Sequence, residues 1–103
     1  MLLYNVTVKI EKSVHNEWLR WMLTKHIPDV MATGCFVRNQ VGRLISHEEE
    51  DGITYALQYY CKDGATLDHY MKEFAPALQQ DHRERFGDKF VAFRTVLDLL
   101  DLE

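Results

Sequence analysis

The stretch LYNVTVKIE, from Leu3 to Glu11, alternates apolar and polar side chains, and the rest of the fold can be built outward from it. Its apolar members are Tyr4, Val6, Val8 and Ile10, and the polar residues between them are Asn5, Thr7 and Lys9. Successive side chains of a strand point to opposite faces of its sheet, so this pattern predicts a half-buried strand.

Beyond this strand, helix and strand patterns follow in the order β-α-β-β-α-β. Apolar residues at three- and four-residue spacing predict a helix from Val14 to His26, which Pro28 ends or redirects. A second helix is predicted from Thr66 to Phe86, with a kink at Pro76. The other strands are predicted over 35–45, 53–61 and 89–97, with a hairpin loop over 46–52. The order predicts an α+β, ferredoxin-like fold with an antiparallel sheet and both helices on one face.

The composition predicts a single globular domain over residues 1–103. Hydrophobic residues make up 47% of the chain and charged residues 27%, and the net charge is −4. The negative charge and the lack of a basic cluster argue against nucleic acid and against an anionic membrane as partners. No apolar run approaches the roughly 20 residues of a membrane span, so we expect a cytoplasmic protein.

Cysteines and histidines are the residues that would signal a metal site. Cys35 and Cys61 lack a CxxC spacing and are predicted to be reduced and buried. The five histidines form neither an HExxH nor an HxH pattern, so neither a metal nor a cofactor is predicted. His26 is predicted as a cation at a helix end, and His82 as a core-edge residue bonded to a backbone group.

The sheet face turned away from the helices is a candidate functional surface. The hairpin register in which Ile45 lies opposite Ile53 puts the polar side chains of both strands on this face and Val37 on the core face. The face then comprises Phe36, Arg38, Gln40, Ala56, Gln58 and Tyr60 beside Asn5, Thr7 and Lys9. The last strand adds either Phe90, Ala92 and Arg94 or Val91, Phe93 and Thr95. We favour the set with Arg94, because an arginine buried under the helices would need a partner.

A face that mixes aromatic rings, amides and arginines usually docks onto another surface. The simplest partner is a second copy, which gives a homodimer through the sheet face. A cavity between the two sheets would then bind a small anionic metabolite, and the candidate ligand-binding residues are Asn5, Arg38, Gln58, Tyr60 and Arg94. The alternative is a non-catalytic interaction or regulatory module whose sheet face serves only dimerisation. The sequence offers no nucleophile–base pair, so catalytic residues stay unknown.

Four stretches together resemble a known family. They are HNEWLRWMLTKHIPDVMATGCF (His15 to Phe36), YALQYYC (Tyr55 to Cys61), FAPALQQDHRERFG (Phe74 to Gly87) and FVAFRTVL (Phe90 to Leu97). In combination they resemble the short bacterial proteins catalogued as domain of unknown function 4286. That family has no assigned activity. The resemblance implies an architecture related to the dimeric α/β-barrel proteins, which include cofactor-independent monooxygenases, and it therefore implies a homodimer without implying a reaction.

Overall fold

Four antiparallel strands form one sheet in the computed structural model, which describes residues 1–46 and 50–102. The strands are β1 (Leu2–Glu11), β2 (Arg38–Arg43), β3 (Gly52–Cys61) and β4 (Phe90–Asp98), in the order β2-β3-β1-β4. The helices are α1 (His15–Trp21), α2 (Ile27–Ala32), α3 (Gly64–Glu73) and α4 (Ala75–Phe86). Buried residues from all four helices pack against the same face of the sheet. The predicted ferredoxin-like fold is confirmed.

The alternation along β1 and β3 sets the two faces of the sheet. Tyr4 pairs with Tyr59 and Val6 with Leu57, and all four side chains are buried under the helices. The residues between them point to the other face. The predicted hairpin register is also correct, since Gln40 lies opposite Gln58 and Arg38 opposite Tyr60. Three residues of the hairpin loop, 47–49, lie outside the described part of the chain.

Phe36 and Val37 lie on the opposite sides from those predicted. Phe36 is only 6% exposed and stacks on Tyr4 with a ring-centroid distance of 6.0 Å, so it belongs to the core. Val37 is 61% exposed. The physical reason is that β2 begins only at Arg38, so the alternation of the strand does not extend back to these two residues.

The predicted outward placement of Arg94 is wrong. Strand β4 pairs with β1 so that Arg94 lies opposite Val6, whose side chain faces the helices. The helix-facing set is therefore Phe90, Ala92 and Arg94, and the outward set is Val91, Phe93 and Thr95. The prediction assumed that an arginine under the helices lacks a partner. In the structure, Arg94 interacts with the Tyr4 hydroxyl and is exposed to solvent at the edge of the sheet.

The first helical segment contains a π turn, Met22–His26, between α1 and α2. The N–H of Ile27 bonds to the carbonyl of Met22, five residues back instead of four. Pro28 follows in the first turn of α2 and has no N–H to give to the preceding turn. Pro28 thus redirects the helix and does not end it, because the chain stays helical to Ala32.

The predicted second helix is divided into α3 and α4. Helix α3 starts at an N-cap, where the Asp63 carboxylate accepts a hydrogen bond from the Thr66 N–H at 2.8 Å. The break lies at Phe74, with φ −121° and ψ −39°, and Pro76 stands in the first turn of α4. Gly87 ends α4 with a φ of 55°. The kink predicted at Pro76 is therefore a short interruption just before it.

Cys35 and Cys61 are both buried and free, as predicted. No helix in the described ranges is long and apolar enough to cross a membrane.

Candidate functional site

A small cavity lies between the sheet and the helices, and we call it the inner cavity. The volume of the cavity is about 20 Å³. Its walls are aliphatic side chains of the core, and its polar lining residues are Tyr4, His26, Tyr59, Tyr70, Gln79, His82 and Arg94. No described residue in the lining is acidic. The cavity therefore combines an apolar wall, several hydrogen-bonding groups and one permanent cation.

Tyr59 carries the clearest sign of an unfilled site. Its side chain is 2% exposed, and its hydroxyl is buried without a hydrogen-bond partner among the described residues. Burial raises the pKa of Tyr59, so the hydroxyl stays protonated and can donate. An unsatisfied buried polar group costs about 1–3 kcal/mol. A ligand atom in the cavity would offset that cost.

Arg94 supplies positive charge at the same cavity. Its guanidinium lies near the Tyr4 hydroxyl, where it lowers the pKa of Tyr4, although burial has the larger effect and raises it. Within the described ranges, the salt bridges do not include Arg94. The charge of Arg94 thus has no anionic partner from this part of the chain.

His82 is buried beside Arg94 and is held by aromatic side chains. The indole N–H of Trp18 donates to Nε2 of His82 at 3.0 Å, and Phe90 stacks on the imidazole at a centroid distance of 3.7 Å. Burial, together with the smaller effects of the neighbouring His26 and Arg94, lowers the pKa of His82 to about 3. His82 is therefore neutral, and its partner is an indole and not the predicted backbone group.

His26 reaches the inner cavity from the π turn. Its ring stacks on Trp21 at 5.1 Å and lies 5.7 Å from the ring of His82. Burial lowers the pKa of His26 to about 4, although Asp29 and Asp81 act in the opposite direction. The prediction of a cation at a helix end is wrong, because the helix continues past His26 and the pKa of the half-buried ring is lowered. Among the described residues, no group of three or more side chains could hold a metal ion.

The face turned away from the helices, which we call the outer sheet face, carries a ladder of polar side chains. Gln40 donates to Gln58 at 2.7 Å, and Gln58 donates to Asn5 at 3.2 Å. Asn5 donates in turn to the Thr95 hydroxyl at 3.3 Å. The ladder crosses all four strands. Its members already satisfy one another, which leaves fewer free donors for a ligand.

Of the predicted ligand-binding residues, four lie together on the outer sheet face and one does not. Asn5 and Gln58 belong to the polar ladder, and the Arg38 guanidinium lies 4.0 Å above the ring of Tyr60. Arg94 lies on the opposite face and lines the inner cavity. The structure thus divides the predicted set between two surfaces.

The sequence interpretation missed Tyr59 as a polar residue of the site, because the alternation of β3 identifies it only as core. One signal was present. A tyrosine at a fully buried strand position needs a partner for its hydroxyl, which a phenylalanine would not need. Gln79 was missed because it lies beside the apolar stripe of α4 and reaches the cavity only through the packing of the helix.

Several proteins of known structure have a fold similar to that of this chain. An ethyl tert-butyl ether D (EthD) family protein from Bacillus halodurans is 12% identical with a TM-score of 0.69, over 97% of this chain and 100% of that chain. The cofactor-independent oxygenase SnoaB from Streptomyces nogalater is 9% identical with a TM-score of 0.64, over 98% and 95%. MhuD, solved with two manganese protoporphyrin IX molecules per active site, is 14% identical with a TM-score of 0.69, over 100% and 99%.

At these identities the structural neighbours share the fold alone. No curated protein sequence matches the chain. The model of the family described as Domain of unknown function (DUF4286) matches residues 1–100. The resemblance found in the sequence is therefore confirmed, and the chain belongs to the DUF4286 family.

Proposed function

We propose that the protein binds a small organic anion in the inner cavity, with Arg94 and Tyr59 as the principal binding residues. The observation that carries the proposal is the unpartnered, buried hydroxyl of Tyr59 in a cavity that also holds the unbalanced charge of Arg94. This changes the location predicted from the sequence, which was the space between two sheets. The change follows from the placement of Arg94 under the helices.

The chemistry of the lining selects the class of ligand. An arginine recognises a carboxylate through two parallel hydrogen bonds, and a protonated phenol adds a third donor. No described acidic side chain lines the cavity, so an anion meets no like charge there. The aliphatic wall suits an apolar body behind the anionic group.

The size of the cavity limits the ligand in the conformation described. About 20 Å³ holds one or two water molecules and therefore an anionic group the size of formate. A larger ligand needs α4 to move, and the interruption at Phe74 is the place where α4 can turn relative to α3. The small volume also favours a second candidate function, a non-catalytic module in which the cavity is only a packing defect.

The test compares two arginine variants, one on each face of the sheet. Thermal unfolding is measured for the wild type, Arg94→Met and Arg38→Met with formate, acetate, benzoate or inorganic phosphate. A ligand at 100 times its Kd stabilises a protein by about 2.7 kcal/mol, so the wild type and Arg38→Met should melt at higher temperature with the right anion. Arg94→Met should lose this gain.

The other outcomes assign the site elsewhere. If Arg38→Met loses the gain and Arg94→Met keeps it, the anion binds between the sheets, with Asn5, Gln58 and Tyr60 as its neighbours. If no anion stabilises the wild type, the second candidate function is favoured.

We further propose that a second copy covers the outer sheet face. Beside the polar ladder, β4 presents Val91, Phe93 and Leu97, and Phe93 is 62% exposed. The centre of this face carries amides and hydroxyls, which both donate and accept hydrogen bonds. Such a face is complementary to itself, as a two-fold interface requires. We place this homodimer in the bacterial cytoplasm, because thiols stay reduced there and both cysteines are free.

A further inference from the structure

The ring of His82 is held by two stacked aromatic rings and by a hydrogen bond at one of its nitrogen atoms. Phe90 stacks on it at 3.7 Å with an interplanar angle of 8°, and Trp21 stacks on it at 5.6 Å. The indole N–H of Trp18 donates to Nε2. A ring held in this way has one orientation and one polar atom left over, Nδ1.

The contact with Trp18 decides where the proton of His82 resides. An indole N–H can donate but cannot accept, so Nε2 of His82 has to be the unprotonated nitrogen. A neutral imidazole carries its single proton on the other nitrogen, which is Nδ1. His82 is therefore a hydrogen-bond donor at Nδ1.

The Nδ1–H group has no acceptor in the part of the chain that the structure describes, and His82 lines the inner cavity. We propose that His82 is the neutral hydrogen-bond donor of this cavity and binds an acceptor oxygen, such as that of a carboxylate or an enolate. This rests on the proposed function, because it adds a residue and a ligand chemistry to the same site.

Three side chains that donate hydrogen bonds then line the cavity, each from a different element. They are Tyr59 on β3, Arg94 on β4 and His82 on α4. A protonated amine would bring only donors to these donors and a second positive charge beside Arg94. A metal ion needs a free lone pair, which neither nitrogen of His82 offers. The arrangement therefore selects an oxygen that accepts hydrogen bonds, and an imidazole adds a donor without adding a second charge.

Nuclear magnetic resonance of the full ¹⁵N-labelled chain tests the proposal. Two-bond ¹H–¹⁵N correlation spectra at pH 6.5 report the tautomer of each histidine, and His82→Gln assigns the signals of His82. We expect the Nδ1–H tautomer without ligand, and a shift of the Nδ1 signal on addition of formate or benzoate. Zinc should leave the His82 signals unchanged.

The matched variants are Trp18→Phe and Trp21→Phe. Both remove an indole beside His82, but only Trp18 donates to it. We expect Trp18→Phe to populate the Nε2–H tautomer and Trp21→Phe to keep the Nδ1–H tautomer. If Trp18→Phe does not fold, the wild-type tautomer and its response to anions remain as the deciding measurements.

Three results would overturn the role of His82 independently of the proposed function or together with its ligand class. They are an Nε2–H tautomer in the wild type, a His82 signal shifted by zinc, and an unchanged Nδ1 signal while an anion raises the melting temperature. In the last case the proposed function stands and only the role of His82 fails. If no anion raises the melting temperature, the proposed function fails, and the ligand role of His82 fails with it.

Discussion

Two tyrosines on β3 show what a single hydroxyl contributes to this protein. Tyr55 and Tyr59 lie four residues apart, on the same face of the strand, and both are buried. The Tyr55 hydroxyl lies 2.7 Å from Nε2 of His15, whereas the Tyr59 hydroxyl is without a partner in the described residues. The two side chains thus have equal chemistry and differ in whether the hydroxyl is paired.

Substitution of each tyrosine by phenylalanine should have opposite effects on stability. Tyr59→Phe removes an unsatisfied group and should leave the free energy of unfolding unchanged or raise it by about 1 kcal/mol. Tyr55→Phe removes a hydrogen bond and should lower it by about 1 kcal/mol. Urea unfolding measures both. Equal losses in the two variants would show that the Tyr59 hydroxyl is paired in solution. Tyr59→Phe should also weaken the stabilisation by anions.

At the scale of elements, the two helical segments meet through stacked rings. Trp21 and His26, from the first segment, lie against His82 and Phe86 of α4, with Trp21 5.5 Å from Phe86. Both imidazoles are neutral at pH 7, because burial, complete for His82 and partial for His26, lowers the pKa of each. The contact between the segments therefore depends on histidines that would have to accept a proton in acid.

Acid should weaken this contact. In an unfolded chain histidine titrates near 6.5, whereas in the folded chain the pKa is about 4 for His26 and about 3 for His82. Below pH 6.5 the unfolded chain thus binds more protons than the folded chain. The free energy of unfolding is therefore highest above pH 6.5 and decreases as the pH falls toward 4. At pH 5 each histidine should cost at most about 2 kcal/mol.

Urea unfolding between pH 7 and pH 5 measures the effect. His82→Gln should reduce the dependence on pH, and His69→Gln, at an exposed position, should leave it unchanged. A stability that does not change over this interval would contradict the neutral state of both buried rings.

The elements that were predictable are those with one buried and one open face. β1 alternates from Tyr4 to Ile10 and β3 from Tyr55 to Cys61, so their faces and the hairpin register follow from the sequence. β4 has apolar residues on both faces, from Phe90 and Ala92 on one side to Val91 and Phe93 on the other, and alternation cannot orient it. Arg94 was misplaced for this reason. Its neighbours Tyr4 and Gln79 come from elements far away in the chain, and no local pattern reveals them.

The π turn could not be recognised in the sequence, because Leu23, which the structure exposes, stands four residues before Ile27 and completes a regular α-helical pattern. The buried residues of the first segment are spaced by four from Trp18 to Met22, by five from Met22 to Ile27, and by three from Ile27 to Val30. A step of five does not fit a regular α-helix, in which the same face returns after three or four residues. The inner cavity was thus beyond prediction, because His26 enters it only through this turn.

For the whole molecule, the outer sheet face is the surface on which the proposed assembly depends. Phe93→Lys places a charge among the exposed apolar side chains of β4 and, in a two-fold dimer, brings two such charges into one interface. We expect the wild type to be a dimer and Phe93→Lys to be a folded monomer. Native mass spectrometry and light scattering after gel filtration measure the mass.

The control is Leu23→Lys, an equally apolar and exposed position on the π turn, away from the sheet. This variant should remain dimeric. A dilute wild type that is folded and monomeric would count against the sheet-face dimer, and so would dissociation of both variants alike.

The π turn has a consequence for how such a cavity can arise and be lost. A π turn holds one more residue than the α turn that it replaces. Loss of one residue from Met22–His26 would close a regular helix in which Trp18, Met22, Ile27 and Val30 follow at steps of four, four and three, so these side chains would still face the same core. The turn therefore accommodates an inserted residue without rotating the core face of α2, so the gain of a single codon, without exchange of any core residue, would suffice to create the turn from which His26 reaches the inner cavity.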